Sequence, residues 1–535
     1  MLILYFILWQ MKIIHINKLL IIPELTIIFR NPIKNIMAQQ VAGINPSKKS
    51  LVTDDFTNHP EVVKCVSQLN AAFPKESVPF VVSDVLDENG NQYVNLVQKG
   101  GGVLGVALVG YTYILELMGI RFLRLAGTSA GAINTALMTV IGKKEDAKSI
   151  DILRAICDLD FFNLVDGHPA ARWIIKKFIT NRDFTTKAKN YAVSLIVIAF
   201  FLVAGDFFFL GLQHKFSILS IFTKLFFVLT GFYFLLIGLV VFYIDRLLRR
   251  LKNTGYGINP GDFFYTWIKD HLVSNGVITV SDLNRKATAL PSLKLRVDNP
   301  EGVTSLFGDV TFIASELVTK NKIQFPAMCN LFREKGNIDN LQPAGFIRAS
   351  MSIPVFFESY MINDIPCESK EIKQAWLDIL NEPDPPSTAR FVDGGMLSNF
   401  PINIFYNPKV LVPRLPSFGI DLDDSKLSDE EKNATNWSLF GYFGRMFNTI
   451  RFYYDKDFLL KNKVYEKGIG KIPLANYNWL NFFLQDKDKI DMFILGAKAA
   501  TEFLIGFNWE AYKNDRVTMQ VKLNEKMNVP SSNEY

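Results

Sequence analysis

Residues 93–141 read YVNLVQKGGGVLGVALVGYTYILELMGIRFLRLAGTSAGAINTALMTVI, and this stretch decides the fold. The run 93–97 is short and apolar, like a buried strand, and the periodic apolar run 106–118 predicts a helix after the glycines. The pattern then repeats, because 121–126 predicts a second strand and 132–141 a second helix, again joined by a glycine turn. Two successive strand-to-helix turns predict an α/β fold with a mostly parallel central sheet covered by helices.

The composition indicates that part of this chain sits in lipid. Of its 535 residues 49% are hydrophobic, 45 are Phe, and the mean hydropathy is +0.15, above the usual range of a soluble domain. The net charge of +6 is small for this length, and basic residues are scattered among acidic ones without forming a tract, so a nucleic-acid partner is not favoured. The 4 cysteines are far apart and indicate neither a zinc site nor a disulfide framework.

Two apolar stretches, 191–212 and 225–244, are each long enough to cross about 30 Å of hydrocarbon as helices. The second has no charged residue, and the cost of about 3 kcal/mol for Asp206 in the first is outweighed by its apolar neighbours. Basic residues flank the pair: Lys176, Lys177, Arg182, Lys187 and Lys189 before it, and Arg246, Arg249, Arg250 and Lys252 after it. We therefore predict a transmembrane hairpin at 188–248 with both ends cytoplasmic. A hairpin lying in one leaflet and a helix pair buried in a soluble core remain open alternatives.

The hairpin interrupts the domain that carries the glycine turns. We expect residues 1–60 to form a poorly ordered extension, with the folded protein beginning near Met37, and residues 61–420 to form the catalytic domain. Residues 421–535 are charged and predict a mainly helical extension. Within the catalytic domain a helix is predicted at 61–72, and short strands are predicted at 293–297, 309–315 and 389–392.

Ser129 lies in Gly127-Thr128-Ser129-Ala130-Gly131, a GxSxG motif between a predicted strand and a predicted helix. The glycines permit a tight turn that exposes the serine at the helix N-terminus. There the helix dipole and the N–H of Ala130 favour negative charge on a substrate oxygen, as hydrolysis requires. A glycine-flanked packing turn is the alternative.

Gly100, Gly101 and Gly102 follow the first predicted strand and can present backbone N–H groups to an oxyanion. The same loop could bind a phosphate. However, no Lys-Ser or Lys-Thr follows as in a P-loop, and a dinucleotide fingerprint would need one more glycine than Gly105 supplies. The loop therefore favours a hydrolase over a nucleotide-binding protein.

The base for Ser129 is unusual, because the last histidine of the chain is His271. In α/β-hydrolases the order is serine, acid and then histidine, so a late histidine is missing here. Either the serine is inert, or a carboxylate acts directly, or His271 acts from an atypical position. Asp393, in Asp393-Gly394-Gly395 after a predicted strand, can present a carboxylate at the sheet edge that carries Ser129, although a simple Asp-Gly turn is the alternative.

Four blocks, in this order, resemble the signature blocks of the patatin-like phospholipases: GGGVLG at 100–105, GTSAGA at 127–132, RASMSIPVFF at 348–357 and DGGMLSNFP at 393–401. The resemblance implies a three-layer α/β/α fold with the hydrophobic helical hairpin as an insertion. It also implies a Ser-Asp dyad that hydrolyses acyl esters of phospholipids, lysophospholipids or other glycerolipids, with no metal and no cofactor.

Carried over by motif, Ser129 is the nucleophile, Asp393 is the base, and Gly100, Gly101 and Gly102 line the oxyanion hole. The N–H of Ala130 is added to that hole from its place at the helix N-terminus. The other motif positions are Gly127, Thr128, Gly131, Gly394 and Gly395. Many members carry Arg or Lys where this chain has Leu104, so contact with an anionic head group is not implied at that position. A catalytically inactive member serving as a membrane scaffold or regulatory protein is the alternative function.

Overall fold

The computed structural model describes residues 51–74, 79–169, 172, 176, 184–212, 219–253, 255–296, 306–410, 412–423 and 439–527. The predicted N-terminal extension up to residue 50 lies outside the described residues. So do the loop of the predicted hairpin at 213–218 and residues 177–183 of its basic flank.

The strands of the described residues form one 10-stranded sheet. They are β1 (Val85–Asp87), β2 (Gln92–Gln98), β3 (Ile120–Thr128), β4 (Leu293–Leu295), β5 (Asp309–Glu316), β6 (Lys322–Phe325), β7 (Tyr360–Ile362), β8 (Ala389–Asp393), β9 (Ser417–Asp423) and β10 (Ile469–Pro473).

The main path through the sheet is β10-β9-β2-β3-β5-β8-β7. The run from β10 to β5 is parallel throughout, with Gln98 paired to Gly127 and Thr128 to Ile313. The remaining pairs are antiparallel, including β5 with β6, which a short connection can join, whereas parallel neighbours need a crossover. The parallel sheet is thus confirmed for the central strands, and the antiparallel pairs lie around it.

The helices lie before, between and after these strands. They are α1 (Asp54–Thr57), α2 (Pro60–Ala72), α3 (Gly105–Leu117), α4 (Ala130–Val140), α5 (Ser149–Cys157), α6 (Phe184–Leu212), α7 (Leu219–Asn253), α8 (Asp262–Ser274), α9 (Val280–Thr288), α10 (Pro343–Ser350), α11 (Lys370–Leu380), α12 (Leu439–Lys461), α13 (Asp486–Gly506) and α14 (Trp509–Met527).

Helices cover the sheet, as the sequence predicts for an α/β fold. Every residue of β2 is buried, which requires cover on both faces of a parallel strand. Helix α4 packs on β3 and β5, α10 packs on β5 and β8, and α3 packs against α13. The α/β fold class is confirmed, and the central strands end where the glycine turns begin.

The chain beyond residue 421 completes the core as well as adding helices. Strand β10 extends the parallel sheet beside β9, and α13 packs against α3, which follows the glycine loop. Residues 54–57 fall in the predicted extension, yet they form α1, whose buried Phe56 packs edge-to-face on Phe493 of α13.

Helices α6 and α7 are long and apolar enough to cross a membrane by length and composition. The first ends at Leu212, as predicted, and the second begins six residues before the predicted start. They pack on each other, with the Tyr233 hydroxyl donating to the Leu195 carbonyl at 2.6 Å and Phe209 against Phe226. Only 6% of the most apolar stretch of each helix is buried, so neither helix is enclosed in a soluble core.

Candidate active site

Ser129 occupies the turn between β3 and α4 in a strained conformation, with φ 52° and ψ −120°. A residue with a side chain costs about 1–3 kcal/mol in such a region, and surrounding contacts must hold it there. One such contact is the N–H of Ser129, which donates to the Ser350 hydroxyl at 3.0 Å. The turn is therefore the sharp strand-to-helix elbow that the GxSxG motif predicts.

The other residues of the motif explain why the turn is so tight. A Cβ at Gly127 would overlap the backbone of Gly131, and a Cβ at Gly131 would overlap the carbonyl of Gln98. Thr128 is fully buried and its hydroxyl donates to the Ser398 carbonyl at 3.1 Å. Strand and helix can approach this closely only with glycine at both positions.

Asp393 ends β8 beside Ser129, close enough that the Ser129 hydroxyl lowers the pKa of the Asp393 carboxyl. The Asp393 N–H donates to the Ser352 carbonyl at 2.8 Å, and its Oδ1 accepts from the Gly395 N–H at 2.7 Å. Burial raises the pKa of the Asp393 carboxyl above its ordinary value, while the Ser129 hydroxyl, the Arg451 charge and the Gly395 N–H act in the opposite direction. Gly394 packs so closely on the Ile313 carbonyl that a Cβ would overlap it.

The glycine loop lies against the same turn. The Gly100 N–H donates to the Asn399 carbonyl at 3.0 Å, so it is already engaged. Gly102 has φ +55°, and a Cβ there would overlap the Trp479 carbonyl. Within the described part of the chain, no acceptor is seen for the N–H groups of Gly101, Gly102 and Ala130. These three donors are therefore available to an incoming oxygen.

An apolar cavity of about 60 Å³ opens beside Ser129, between Gly102 and Ala130. Its walls include the apolar side chains Val106, Val109, Ile133, Leu137, Phe161 and Phe482. Such a lining suits an acyl chain. The cavity is smaller than the roughly 150 Å³ that encloses benzene, so a long acyl chain requires wall side chains to move.

His271 is not among the residues that line this cavity. Its ring packs edge-to-face on Trp267 at 4.8 Å, and His271 lines a separate groove with Asp146 and Asp151. Burial lowers the pKa of His271. The structure thus brings Asp393, and not His271, to Ser129.

Three residues at the site carry no motif that would identify their contacts from sequence. Ser350 lies in the third block and accepts from Ser129, and Asn399 lies in the fourth block and binds the glycine loop. Arg451, from α12, donates through Nε to the Gly395 carbonyl at 2.7 Å. The positions of Ser350 and Asn399 in signature blocks are the available signals, and α12 offers none.

Other chemistry is not indicated in the described ranges. No group of three or more His, Cys, Asp or Glu residues there could hold a metal ion. The four cysteines, Cys65, Cys157, Cys329 and Cys367, are free thiols. Burial raises the pKa of Cys157 to about 11 and also raises that of Cys65, which disfavours a thiolate at either position.

Comparison with known proteins shows the family of this chain. The family model described as Patatin-like phospholipase matches residues 96–406. The uncharacterized protein YqhO of Bacillus subtilis (strain 168) is 26% identical over 412 residues, covering 77% of this chain and 98% of that protein. The crystal structure of VipD from Legionella pneumophila aligns over 80% of this chain and 71% of VipD, at 13% identity and a TM-score of 0.32. Because the family model spans more than half of the chain and includes both glycine turns and the Asp393 block, this protein belongs to the patatin-like phospholipase family of lipid acyl hydrolases.

Proposed function

We propose that this protein is a membrane-anchored serine hydrolase that cleaves acyl esters of phospholipids, lysophospholipids or other glycerolipids. The observation that carries the proposal is the position of the Ser129 hydroxyl beside the buried Asp393 carboxylate, whose pKa it lowers, at the wall of an apolar cavity. A carboxylate beside the serine hydroxyl supplies the base that the missing late histidine would otherwise provide.

In the proposed reaction Asp393 accepts the proton of Ser129 as the hydroxyl oxygen attacks the ester carbonyl. The tetrahedral oxyanion is held by the N–H groups of Gly101, Gly102 and Ala130. The leaving alcohol takes the proton from Asp393, and the acyl-enzyme remains. Asp393 then removes a proton from water, the hydroxide attacks the acyl-enzyme, and the fatty acid leaves as Ser129 regains its proton.

The pKa of Asp393 bears on this role. Burial raises the pKa, so the carboxylate is a stronger base than an exposed aspartate. Because the base must be ionised, kcat/KM should rise with pH through the pKa of Asp393, at a higher pH than an ordinary aspartate would give.

The head group is recognised weakly in this proposal. Leu104, where many family members carry a cation, is fully buried at the start of α3. No charge reaches the substrate from that position, so selection falls on the acyl chain in the cavity.

The two apolar helices would hold the catalytic domain at the surface from which substrate is drawn. Their exposed apolar surface and the basic residues that flank them support a hairpin with the domain on the cytoplasmic side. Anchoring raises the local substrate concentration without a specific head-group contact.

The catalytic proposal is tested with purified wild type, Ser129→Ala and Asp393→Asn, each incubated with vesicles that contain a panel of phospholipids, lysophospholipids and diacylglycerol. Mass spectrometry of the products should show free fatty acid and deacylated lipid for wild type alone. Fluorophosphonate should label wild type and not Ser129→Ala. A His271→Ala control should keep its activity. Identical products from wild type and Ser129→Ala would contradict the proposal and favour an inactive scaffold.

The anchor is tested separately by replacing residues 188–248 with a short Gly-Ser linker. The full chain should stay in the membrane pellet after alkaline carbonate extraction, and the shortened chain should be released. A full chain that is extracted as readily as the shortened one would refute the transmembrane anchor.

A further inference from the structure

Helix α12 lies outside the matched family region and places a cation beside the candidate base. The Nε of Arg451 donates to the Gly395 carbonyl at 2.7 Å, and the Gly395 N–H donates to Asp393 Oδ1 at 2.7 Å. Arg451 and the Asp393 carboxylate therefore bind the two polar groups of one residue and hold the turn between them.

The same guanidinium reaches the glycine loop through a second residue. Its Nη2 donates to Asn399 Oδ1 at 3.3 Å, and Asn399 Nδ2 donates to the Gly100 carbonyl at 3.2 Å. The Gly100 N–H returns to the Asn399 carbonyl at 3.0 Å. One side chain thus connects the loop that carries the base with the loop that carries the oxyanion donors.

One turn further along the helix, α12 is also fixed to the loop that follows Asp393. The buried Asp455 accepts from the Ser398 hydroxyl at 2.7 Å and from the Phe400 N–H at 2.8 Å. Arg451 and Asp455 are four residues apart on the helix and so lie on one face, which contacts residues 395–400. The position of the guanidinium is therefore set by the helix and not by a flexible loop.

We infer that Arg451 is a positioning residue that fixes the Asp393 loop and the glycine loop relative to each other, so that base and oxyanion donors meet one ester carbonyl. The inference rests on the proposed Ser129–Asp393 hydrolysis. A planar guanidinium suits this task because its donors diverge in a fixed fork and bind two acceptors at once, which an ammonium on a flexible stem does less well.

The positive charge of Arg451 affects the pKa of Asp393, and this effect can be measured separately from its hydrogen bonds. Among the described residues, Arg451 is the charged group that acts on the pKa of Asp393, and it lowers that pKa against the effect of burial. The other groups facing the carboxylate, the Ser129 hydroxyl and the Gly395 N–H, are neutral donors. Removing the charge should therefore raise the pKa of Asp393 and move the acidic limb of the pH profile to higher pH.

The test compares pH profiles of kcat and KM on p-nitrophenyl butyrate for wild type, Arg451→Gln and Arg451→Lys, with Lys456→Gln as control. Lys456 is exposed on α12 and, on a helix of 3.6 residues per turn, does not share the face of Arg451 and Asp455. The Gln variant should lose roughly 10- to 100-fold in kcat, as a small misplacement of catalytic groups does, with KM little changed. Its acidic limb should move to higher pH. The Lys variant should keep the wild-type limb and still lose kcat, and Lys456→Gln should match wild type.

A thermal melt of each variant checks folding, and if the Gln variant does not fold, the Lys variant alone decides. Wild-type kcat in Arg451→Lys, or an unmoved limb and full kcat in a folded Arg451→Gln, overturns the inference. If these variants are fully active while Ser129→Ala is not, the inference fails and the proposed function stands. Equal hydrolysis by wild type and Ser129→Ala overturns both.

Discussion

The hydrogen bond from Ser129 to Ser350 gives a direct test of how the strained turn is held. Ser350 is fully buried, and its hydroxyl accepts the Ser129 N–H at 3.0 Å. The substitution Ser350→Ala removes that acceptor and leaves a buried N–H unpaired. We expect both the stability of the protein and the reactivity of Ser129 to fall.

The magnitude follows from two terms. An unpaired buried N–H costs about 1–3 kcal/mol, and the φ of +52° stores a comparable strain that the turn releases if it relaxes. If the turn keeps its conformation, the free energy of unfolding falls by the cost of the unpaired N–H, about 1–3 kcal/mol. For a chain of this size, each kcal/mol lowers Tm by about 1 °C. If the turn relaxes, stability is partly recovered but Ser129 leaves its position. A misplacement that costs about 1.4–2.8 kcal/mol slows the reaction roughly 10- to 100-fold.

The assay is the rate of fluorophosphonate labelling at Ser129, measured beside a thermal melt. Ser359→Ala is the matched control, because the Ser359 hydroxyl is also buried but has no hydrogen-bond partner among the described residues. Its removal should change neither labelling nor Tm appreciably. Wild-type labelling by Ser350→Ala, or an equal loss in Ser359→Ala, would refute the reasoning.

Three further predictions concern the cavity, the glycine loop and the catalytic loop. Phe482 lines the cavity and its ring stacks on Phe356, with ring centroids 4.7 Å apart. Phe482→Ala should therefore enlarge the cavity and raise the rate of hydrolysis of p-nitrophenyl palmitate relative to p-nitrophenyl butyrate. An unchanged ratio would exclude this cavity as the acyl site. Gly102→Ala should abolish most labelling, because the new Cβ would overlap the Trp479 carbonyl. Gly90 also has a positive φ, but no atom lies near its Cβ position, so Gly90→Ala should keep its labelling and lose only about 1–2 kcal/mol of stability. Equal labelling by the two variants would contradict this prediction. Burial raises the pKa of Asp455 from 3.8 to about 6, so the folded state favours the protonated acid, and the free energy of unfolding falls by about 3 kcal/mol as the pH rises from below 4 through 6. Asp455→Asn should lack this dependence in thermal melts between pH 4 and 7. A parallel pH dependence in both proteins would disprove this prediction.

The local part of the fold could be predicted well. The predicted strands 93–97 and 121–126 are β2 (Gln92–Gln98) and β3 (Ile120–Thr128), and the predicted helix 132–141 is α4 (Ala130–Val140). These predictions succeed because apolar periodicity and glycine turns are properties of neighbouring residues. The end strand β10 was not predicted, because five residues in a charged stretch show no clear apolar periodicity. Its place in the sheet is set by its pairing with β9.

The sequence by itself determined the turn that carries Ser129, the glycine loop before α3 and the acidic turn after β8. Close approach of the backbone at these places permits only glycine, so the glycines of each motif are visible in the sequence. Only the tertiary structure decided how these parts meet. Ser350 and Arg451 lie far from Ser129 in sequence and reach the site because α10, which ends at Ser350, packs on α4 and β5, and α12 contacts residues 395–400. A single side-chain hydrogen bond across such a separation leaves no pattern in the residues on either side of it.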